Sequence, residues 1–299
     1  MTTAAFTAKD VQELRQRTGA GMMDCKNALV ETSGDITKAI DLLRTKGIAK
    51  AEKRAGRVAS EGRIVSLIAP DGQSGAMLEL NSETDFVSRN DEFGALTQSL
   101  GEQVLRDNTL DGAVRNAGEG MLLGQPYHRD PSKTVDEAVK EASGKTGENF
   151  VLRRYARFTT TGTLGTYVHH NGRVAVLVEV TGPVGTPARD LAKTVAEHIA
   201  AGVPRVPEAV RRDEIPVELV QRERRIFEEK ARGDGKPENI IGKVVEGQIR
   251  KFYAEITLLE QPWVRDETKT IQQLVDEQSK AAGAPLTVRR FVRYRMGEE

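Results

Sequence analysis

The chain has 299 residues, and its 44 Lys and Arg residues balance 44 Asp and Glu residues, so its formal charge is zero. That balance excludes a strongly basic nucleic-acid module and a long acidic tail. With 38% hydrophobic and 29% charged residues, the chain reads as globular and long enough for two or more domains. One cysteine, Cys25, excludes an intrachain disulfide and suits a reducing compartment. The apolar runs, such as residues 174–178, are strand length, and residues 1–6 lack the pattern of a signal peptide. A cytoplasmic protein is therefore expected.

Residues 1–55 read as three short helices. Val11 and Leu14 share a face over residues 9–17. Thr18, Gly19, Ala20 and Gly21 break that helix, because glycine permits a tight turn. A second helix over 22–31 carries Met22, Met23, Cys25 and Leu29. Asp35 is placed to cap a third over 36–45, with Ile36, Ala39, Ile40 and Leu43 on one face. Such a compact bundle resembles a ubiquitin-associated domain. Met22 and Met23 read either as core filling or as an adaptable contact patch, with one in and one out. Arg44, Lys46, Lys50, Lys53, Arg54 and Arg57 follow, opposed only by Glu52. No stacking aromatics are interleaved, so a solvated helical linker is favoured over a nucleic-acid surface.

From residue 61 the sequence repeats at an offset of 100: residues 61–68 align with 161–168, Gly72 with Gly172, and 76–80 with 176–180. Each copy predicts a β-hairpin leading into a helix, over 92–105 in the first and 188–200 in the second. A closing strand repeats at an offset of 136, residues 150–158 matching 286–294. Simple alternation puts Leu152, Arg154, Ala156 and Phe158 on one face and Val151, Arg153, Tyr155 and Arg157 on the other.

The fold class is therefore α+β. A three-helix module precedes two related antiparallel three-stranded sheets, which are covered by helices and face each other about a pseudo-two-fold axis. The expected division is 1–55, 56–145 and 146–299. Within the last part, residues 214–231 and 238–253 predict a helical hairpin at about 214–255. Its seven-residue apolar spacings (Leu219 to Ile226, Val220 to Phe227) suggest a projecting antiparallel coiled coil.

Enzyme signatures are missing. Gly144, Lys145 and Thr146 resemble the end of a phosphate-binding loop, but Val139 stands where that motif needs glycine. His128, His169, His170 and His198 show no zinc spacing, and no nucleophile-elbow motif occurs. Neither a cofactor nor a metal is expected. Cys25 reads as a small buried hydrophobe.

The two copies differ after the first hairpin. Residues 81–90 contain Glu83, Thr84, Asp85, Phe86 and Val87, whereas the aligned 181–190 are rich in Gly and Pro. A function carried by Asp85 and Phe86 would exist once per chain. On the residues alone, Thr84 or Asp85 reads as a helix cap and Phe86 as a core residue.

Residues 18–26 (Thr-Gly-Ala-Gly-Met-Met-Asp-Cys-Lys), 83–87 (Glu-Thr-Asp-Phe-Val), 235–237 (Gly-Lys-Pro) and 246–252 (Glu-Gly-Gln-Ile-Arg-Lys-Phe) resemble the elongation factor Ts family, in the family's order and nearly end to end. The resemblance implies a guanine-nucleotide exchange factor for the GTPase elongation factor Tu, acting through binding and without covalent chemistry. It casts Thr84, Asp85, Phe86 and Val87 as a finger wedged between helices of the GTPase. It adds Arg15, Met22 and Met23 of the N-terminal module, and Tyr167 and His169 of the second hairpin, as further contacts. A monomer binding one GTPase per chain is expected, with neither nucleic acid nor membrane as a direct partner. The competing readings are an adaptor of the ubiquitin-associated type and a hydrolase built on His169; no motif supports the latter.

Overall fold

The computed structural model describes residues 6–114, 116–118 and 120–298, so the first five residues of the N-terminal module lie outside it. That module folds as α1 (Ala8–Thr18), α2 (Met22–Glu31) and α3 (Ile36–Glu52) around Val11, Leu14, Cys25, Ala28, Leu29 and Ala39. Thr7 and Asp10 form a reciprocal capping box on α1, and Asp35 accepts from the Lys38 amide to start α3. α3 continues past residue 45, so Lys46 and Lys50 lie on it and pair with Glu31 (2.5 Å) and Asp24 (3.2 Å) of α2. Much of the basic run is thus a paired helix face. Met22 and Met23 are both exposed, rather than one in and one out, because Cys25, Ala28 and Leu29 fill the inward face of α2.

The first half contains β1 (Glu61–Ile68), β2 (Ser74–Ser82), α4 (Asp85–Ser88), α5 (Asp91–Arg106), β3 (Gly112–Val114), β4 (Pro126–Tyr127), β5 (Asp130–Thr134), α6 (Val135–Thr146) and β6 (Val151–Thr159). Its antiparallel sheet runs β1-β2-β6-β3. The second half contains β7 (Thr163–Val168), β8 (Val174–Thr181), α7 (Thr186–Ala201), α8 (Val217–Gly233), α9 (Glu238–Ile256), β9 (Pro262–Trp263), β10 (Asp266–Thr270), α10 (Ile271–Ala282) and β11 (Thr287–Arg295). Its sheet runs β7-β8-β11. The first sheet therefore has four strands, not three, because short β3 adds to the edge of β6. Since β6 pairs with β2, the closing strand belongs with the first sheet and not beyond a boundary at 145/146.

Each sheet buries one face under its own helices. In the first half Leu78, Leu80, Leu152 and Tyr155 meet Phe93, Leu100 and Val104 of α5 and Val135 and Val139 of α6. In the second, Val176, Val178 and Val180 meet Leu191, Val195 and Ile199 of α7 and Leu274 of α10. The other faces pack together through Met77, Ala156, Ala175 and Tyr294, and through Phe158, Leu164 and Leu177. Where β1 meets β7 the duplication becomes a local symmetry. The Ile64 amide donates to Gly172 O (3.2 Å) and the Leu164 amide to Gly72 O (3.3 Å). The hydroxyls of Ser66 and Thr166, an offset of 100 apart, lie 2.6 Å from each other. Gly62 and Gly162 repeat too: a Cβ would stand 2.2 Å from Leu80 O at one and 2.3 Å from Val180 O at the other.

Plain alternation fails in the closing strands. Each is bulged, at the Glu79/Leu80 step opposite β6 and at the Val288/Arg290 step in β11. An extra residue reverses the facing of every later position in the strand. Leu152 and Tyr155 therefore share the helix-covered face, while Arg154, Ala156 and Phe158 turn to the other sheet.

α8 and α9 form a helical hairpin linked through Asp234 to Pro237. Leu219, Val220 and Phe227 of α8 meet Val245, Ile249, Phe252 and Ile256 of α9. α8 begins three residues later than expected and α9 extends to Ile256. Among the described residues, no helix is long and apolar enough to cross a membrane.

Candidate functional site

The single-copy segment 83–89 forms a finger at the end of β2. Thr84 caps the one-turn helix α4, its hydroxyl accepting from the Val87 amide at 3.4 Å. Val87 packs partly against the first core, which aims Phe86 outward. Phe86 is 85% exposed, so the core placement read from the residues alone is wrong and the capping role of Thr84 is right. Leaving an aromatic of this size in water forgoes about 1.5–3 kcal/mol of burial. Asp85 is half-buried and pairs with Arg89 at 2.9 Å.

The finger's base is pinned by Glu148, just beyond α6. Its carboxylate accepts from the Glu83 and Thr84 amides (both 3.1 Å) and from the Thr84 hydroxyl (2.5 Å). Glu83 in turn accepts from the Asn149 amide at 2.7 Å, and the Asn149 side chain donates to Arg57 O at 2.8 Å. On the far side, Arg63 Nε donates to Ser88 O. Charge-assisted bonds of this kind hold a short turn rigid although its tip touches nothing. Spacing and periodicity single out none of Glu148, Asn149 or Arg63. The available signal was a Gly-Glu-Asn string after a helix, the position where orphan carbonyls and turns collect polar partners.

The other expected contact residues fall into two clusters. In the N-terminal module Arg15 is exposed on α1, and Met22 (48%) and Met23 (63%) stand exposed where α2 begins. The glycine loop before them is held by Gly19 N to Arg15 O (2.8 Å) and by Cys25, whose thiol reaches Ala20 O at 3.7 Å. Burial raises the Cys25 thiol above its ordinary pKa, so it remains protonated. In the second half Tyr167 packs its ring partly on the core. Its hydroxyl lies 3.1 Å from His169 Nδ1, so Tyr167 and His169 form one unit. His170 is exposed, with its ring 4.2 Å from that of His169. Thr84 to Val87 are likewise brought together on the finger.

Among the described residues, no group of three or more His, Cys, Asp and Glu is placed to hold a metal ion.

These features define an α+β protein, built by duplication, that carries one exposed, rigidly mounted aromatic finger. Residues 83–298 match the family model described as Elongation factor TS. The chain is 44% identical over 295 residues to the elongation factor Ts of Aquifex aeolicus (strain VF5), covering 98% of each chain. It is 44% identical over 303 residues to that of Nostoc sp. (99% of this chain, 93% of the relative). With that of Trichlorobacter lovleyi it shares 41% identity over 300 residues (98% and 93%). The chain belongs to the elongation factor Ts family, and by that membership it is a translation elongation factor.

Proposed function

We propose that this chain is the guanine-nucleotide exchange factor for elongation factor Tu, and that it acts by binding alone. The observation that carries the reading is Phe86, 85% exposed at the tip of a turn that Glu148 anchors. A turn already anchored at its base carries an exposed aromatic into a partner's groove without the cost of ordering the loop. Wedged between helices of the GTPase, Phe86 would shift groups that hold Mg²⁺, and Mg²⁺ tolerates little departure from octahedral geometry. GDP then loses its counter-charge and leaves. Factor and GDP each lower the other's affinity by the same factor, so GTP entry reverses the cycle without covalent chemistry.

In this reading Asp85 supplies polar contacts beside the wedge, with Thr84 and Val87 shaping it. Arg15, Met22 and Met23 form a second contact on a module of the ubiquitin-associated type. Tyr167 and His169 form a third. The division is the helical module to residue 55, a first subdomain ending with β6, and a second carrying the α8–α9 hairpin as a projecting coiled coil. The factor works in the cytoplasm as a monomer, one GTPase per chain, without direct contact to nucleic acid or membrane.

The test is release of a fluorescent GDP from elongation factor Tu at substoichiometric amounts of this protein. Catalytic acceleration is expected, and Phe86→Ala should cut it at least tenfold, about the weight of one buried aromatic anchor. A Phe86→Ala variant that exchanges at the unaltered rate ends the wedge reading. Binding without acceleration favours the adaptor.

A further inference from the structure

The duplication exposes one position that the first half fills and the second leaves open. In the first half β3 pairs with β6, Gly112 opposite Arg157, Ala113 opposite Ala156 and Val114 opposite Tyr155. At the offset of 136 these β6 positions correspond to Arg293, Val292 and Phe291 of β11. β11 pairs with β8 on one side and is the outermost strand of its sheet. The Met296 amide bonds Arg173 O on the β8 side (2.8 Å), so alternation turns the backbone groups of Arg293 and Phe291 to the free edge. Among the described residues, no backbone hydrogen bond reaches them. The segment after α7 supplies no matching strand and leads to the helical hairpin instead. Ala209 bridges Thr257 there, and its carbonyl accepts from Leu258.

The paired arginines carry the same asymmetry. Arg157 is buried and directs Nε to Leu105 O at the end of α5 and its other donors to Leu110 O and Asn108 Oδ1 in the segment between α5 and β3, all within 3.0 Å. Its counterpart Arg293 has a side chain only 7% exposed, and among the described residues its Nε has no partner. Its Nη1 is engaged by the Glu298 carboxylate at 2.8 Å. A buried guanidinium N–H without an acceptor is costly, and its counterpart shows what fits there: a carbonyl or amide oxygen. An open cleft of about 1230 Å³ lies along this edge, between β3 and β6 on one side and β11 on the other. Five arginines (Arg153, Arg154, Arg289, Arg290 and Arg293) and three glutamates (Glu208, Glu214 and Glu298) line it. Glu214 is held by Arg211 (2.7 Å) and the Val210 amide (2.9 Å), Glu298 by Arg293 (2.8 Å), and Arg289 shares the buried Glu179 with Arg290, so the excess of arginines over glutamates in the lining leaves the cleft net basic.

We propose that the free edge of β11 is a strand-addition site for an extended acidic peptide segment of a partner protein. Its main chain pairs with Phe291 and Arg293 as β3 pairs with Tyr155 and Arg157. Its carboxylates meet Arg153 and the exposed side of Arg289, whose Nη1 is held by Glu179, and one of its oxygens takes the Nε proton of Arg293. The site lies at the opposite margin of the sheets from the β1–β7 seam and does not rest on the exchange reading.

The experiment uses the full chain and a short fluorescein-labelled peptide alternating Glu and Val, followed by anisotropy at low salt. The peptide should bind, and its Lys–Val counterpart should not. Methylating alternate backbone nitrogens, in whichever register faces the edge, should weaken binding about tenfold, since it removes the pairing and keeps the charge. Hydrogen exchange at the amides of Phe291 and Arg293 should slow when the unmodified peptide is added. Arg293→Gln should lower affinity about tenfold. If that variant does not fold, the methylated peptides and the exchange measurement still decide on the unaltered chain. Failure of the acidic peptide to bind overturns the site. Equal binding of both methylated registers, or protection appearing away from β11, overturns strand addition.

Discussion

His198 is buried in the second core with both ring nitrogens engaged. Gln261 gives its amide hydrogens to Arg205 O (2.9 Å) and Glu255 O (2.5 Å), so its Oε1 accepts from His198 Nε2 at 2.9 Å. Nδ1 then accepts from the Val264 amide at 3.3 Å, which fixes a neutral tautomer. Burial pushes the His198 pKa below its ordinary value of 6.5. The unfolded chain therefore takes up this proton first as the pH falls. The stability tied to His198 is complete above about 6.5 and declines below it, down to the folded-state pKa. The first half solves the same problem without a titratable group. Gln103 donates to Gln125 Oε1 (3.1 Å) and accepts from the His128 amide (2.7 Å), and residues 125 and 128 match 261 and 264 at the offset of 136. His198→Gln should therefore keep the fold and flatten the acid limb, read as urea midpoints at about pH 7 and pH 5. An unchanged loss of stability in the variant at the lower pH would locate the acid sensitivity elsewhere. The finger yields a second residue-scale expectation. Glu148→Ala removes three acceptor contacts from its base while leaving Phe86 in place. GDP release should slow towards the Phe86→Ala level with little change in melting temperature, because the loss is in positioning rather than in the core.

At the scale of elements, the N-terminal module is joined to the first half through α3 and α6. They cross at Gly47 and Gly144, where a Cβ on Gly144 would come within 3.0–3.2 Å of Gly47 backbone atoms. Arg44–Glu137 (3.4 Å) and Lys140–Glu52 (3.2 Å) flank the crossing. These pairs are largely solvated and contribute little, so close backbone approach does most to set the docking. Gly144→Val should force the helices apart, costing about 1–3 kcal/mol at the interface. Faster proteolysis within residues 53–58, with the sheet core intact, is the expected reading; an unchanged digestion pattern would show that docking does not depend on the crossing. Elements with sustained periodicity, such as α1, α2, α5 and α7, were legible in the sequence to within a few residues. So were both hairpins, because each copy repeated the other's alternation. What stayed hidden has a physical cause in each case. β3 is three residues long, too short for any period to show. The bulges at Arg153 and Arg289 invert facing without altering composition. The exposure of Phe86 depends on Glu148, far away in sequence, and no local pattern reports that. The Gly47–Gly144 crossing joins two glycines that look ordinary within their own helices.

On the scale of the whole molecule, each half reaches across the pseudo-two-fold to complete the other. Arg154 of the first half stacks on Tyr294 of the second at 4.4 Å, and Arg290 of the second stacks on Phe158 of the first at 4.1 Å. Arg154 corresponds to Arg290, and Phe158 to Tyr294, at the same offset of 136. Each arginine also holds a fully buried glutamate of its own sheet: Arg154 Nε to Glu79 at 2.7 Å and Arg290 Nε to Glu179 at 2.5 Å. The two sites are not equally guarded. Glu179 has a second cation in Arg289 at 3.1 Å, whereas among the described residues Glu79 has only the Asn81 amide at 3.2 Å besides Arg154. Arg154 further donates to Arg295 O across the interface at 2.8 Å. Removing it as Arg154→Met strands a buried carboxylate and cuts a bond between the halves. Such a loss typically costs about 3–5 kcal/mol, and the equivalent Arg290→Met should cost less because Arg289 remains. Replacing both partners, as in Glu79→Leu with Arg154→Met, should recover most of that stability, since a buried pair exchanged for apolar volume is close to neutral. Chemical denaturation of the three variants and the unaltered chain measures all three comparisons. If Arg154→Met costs no more than Arg290→Met, then the first-half pair is not the one that fastens the two sheets together.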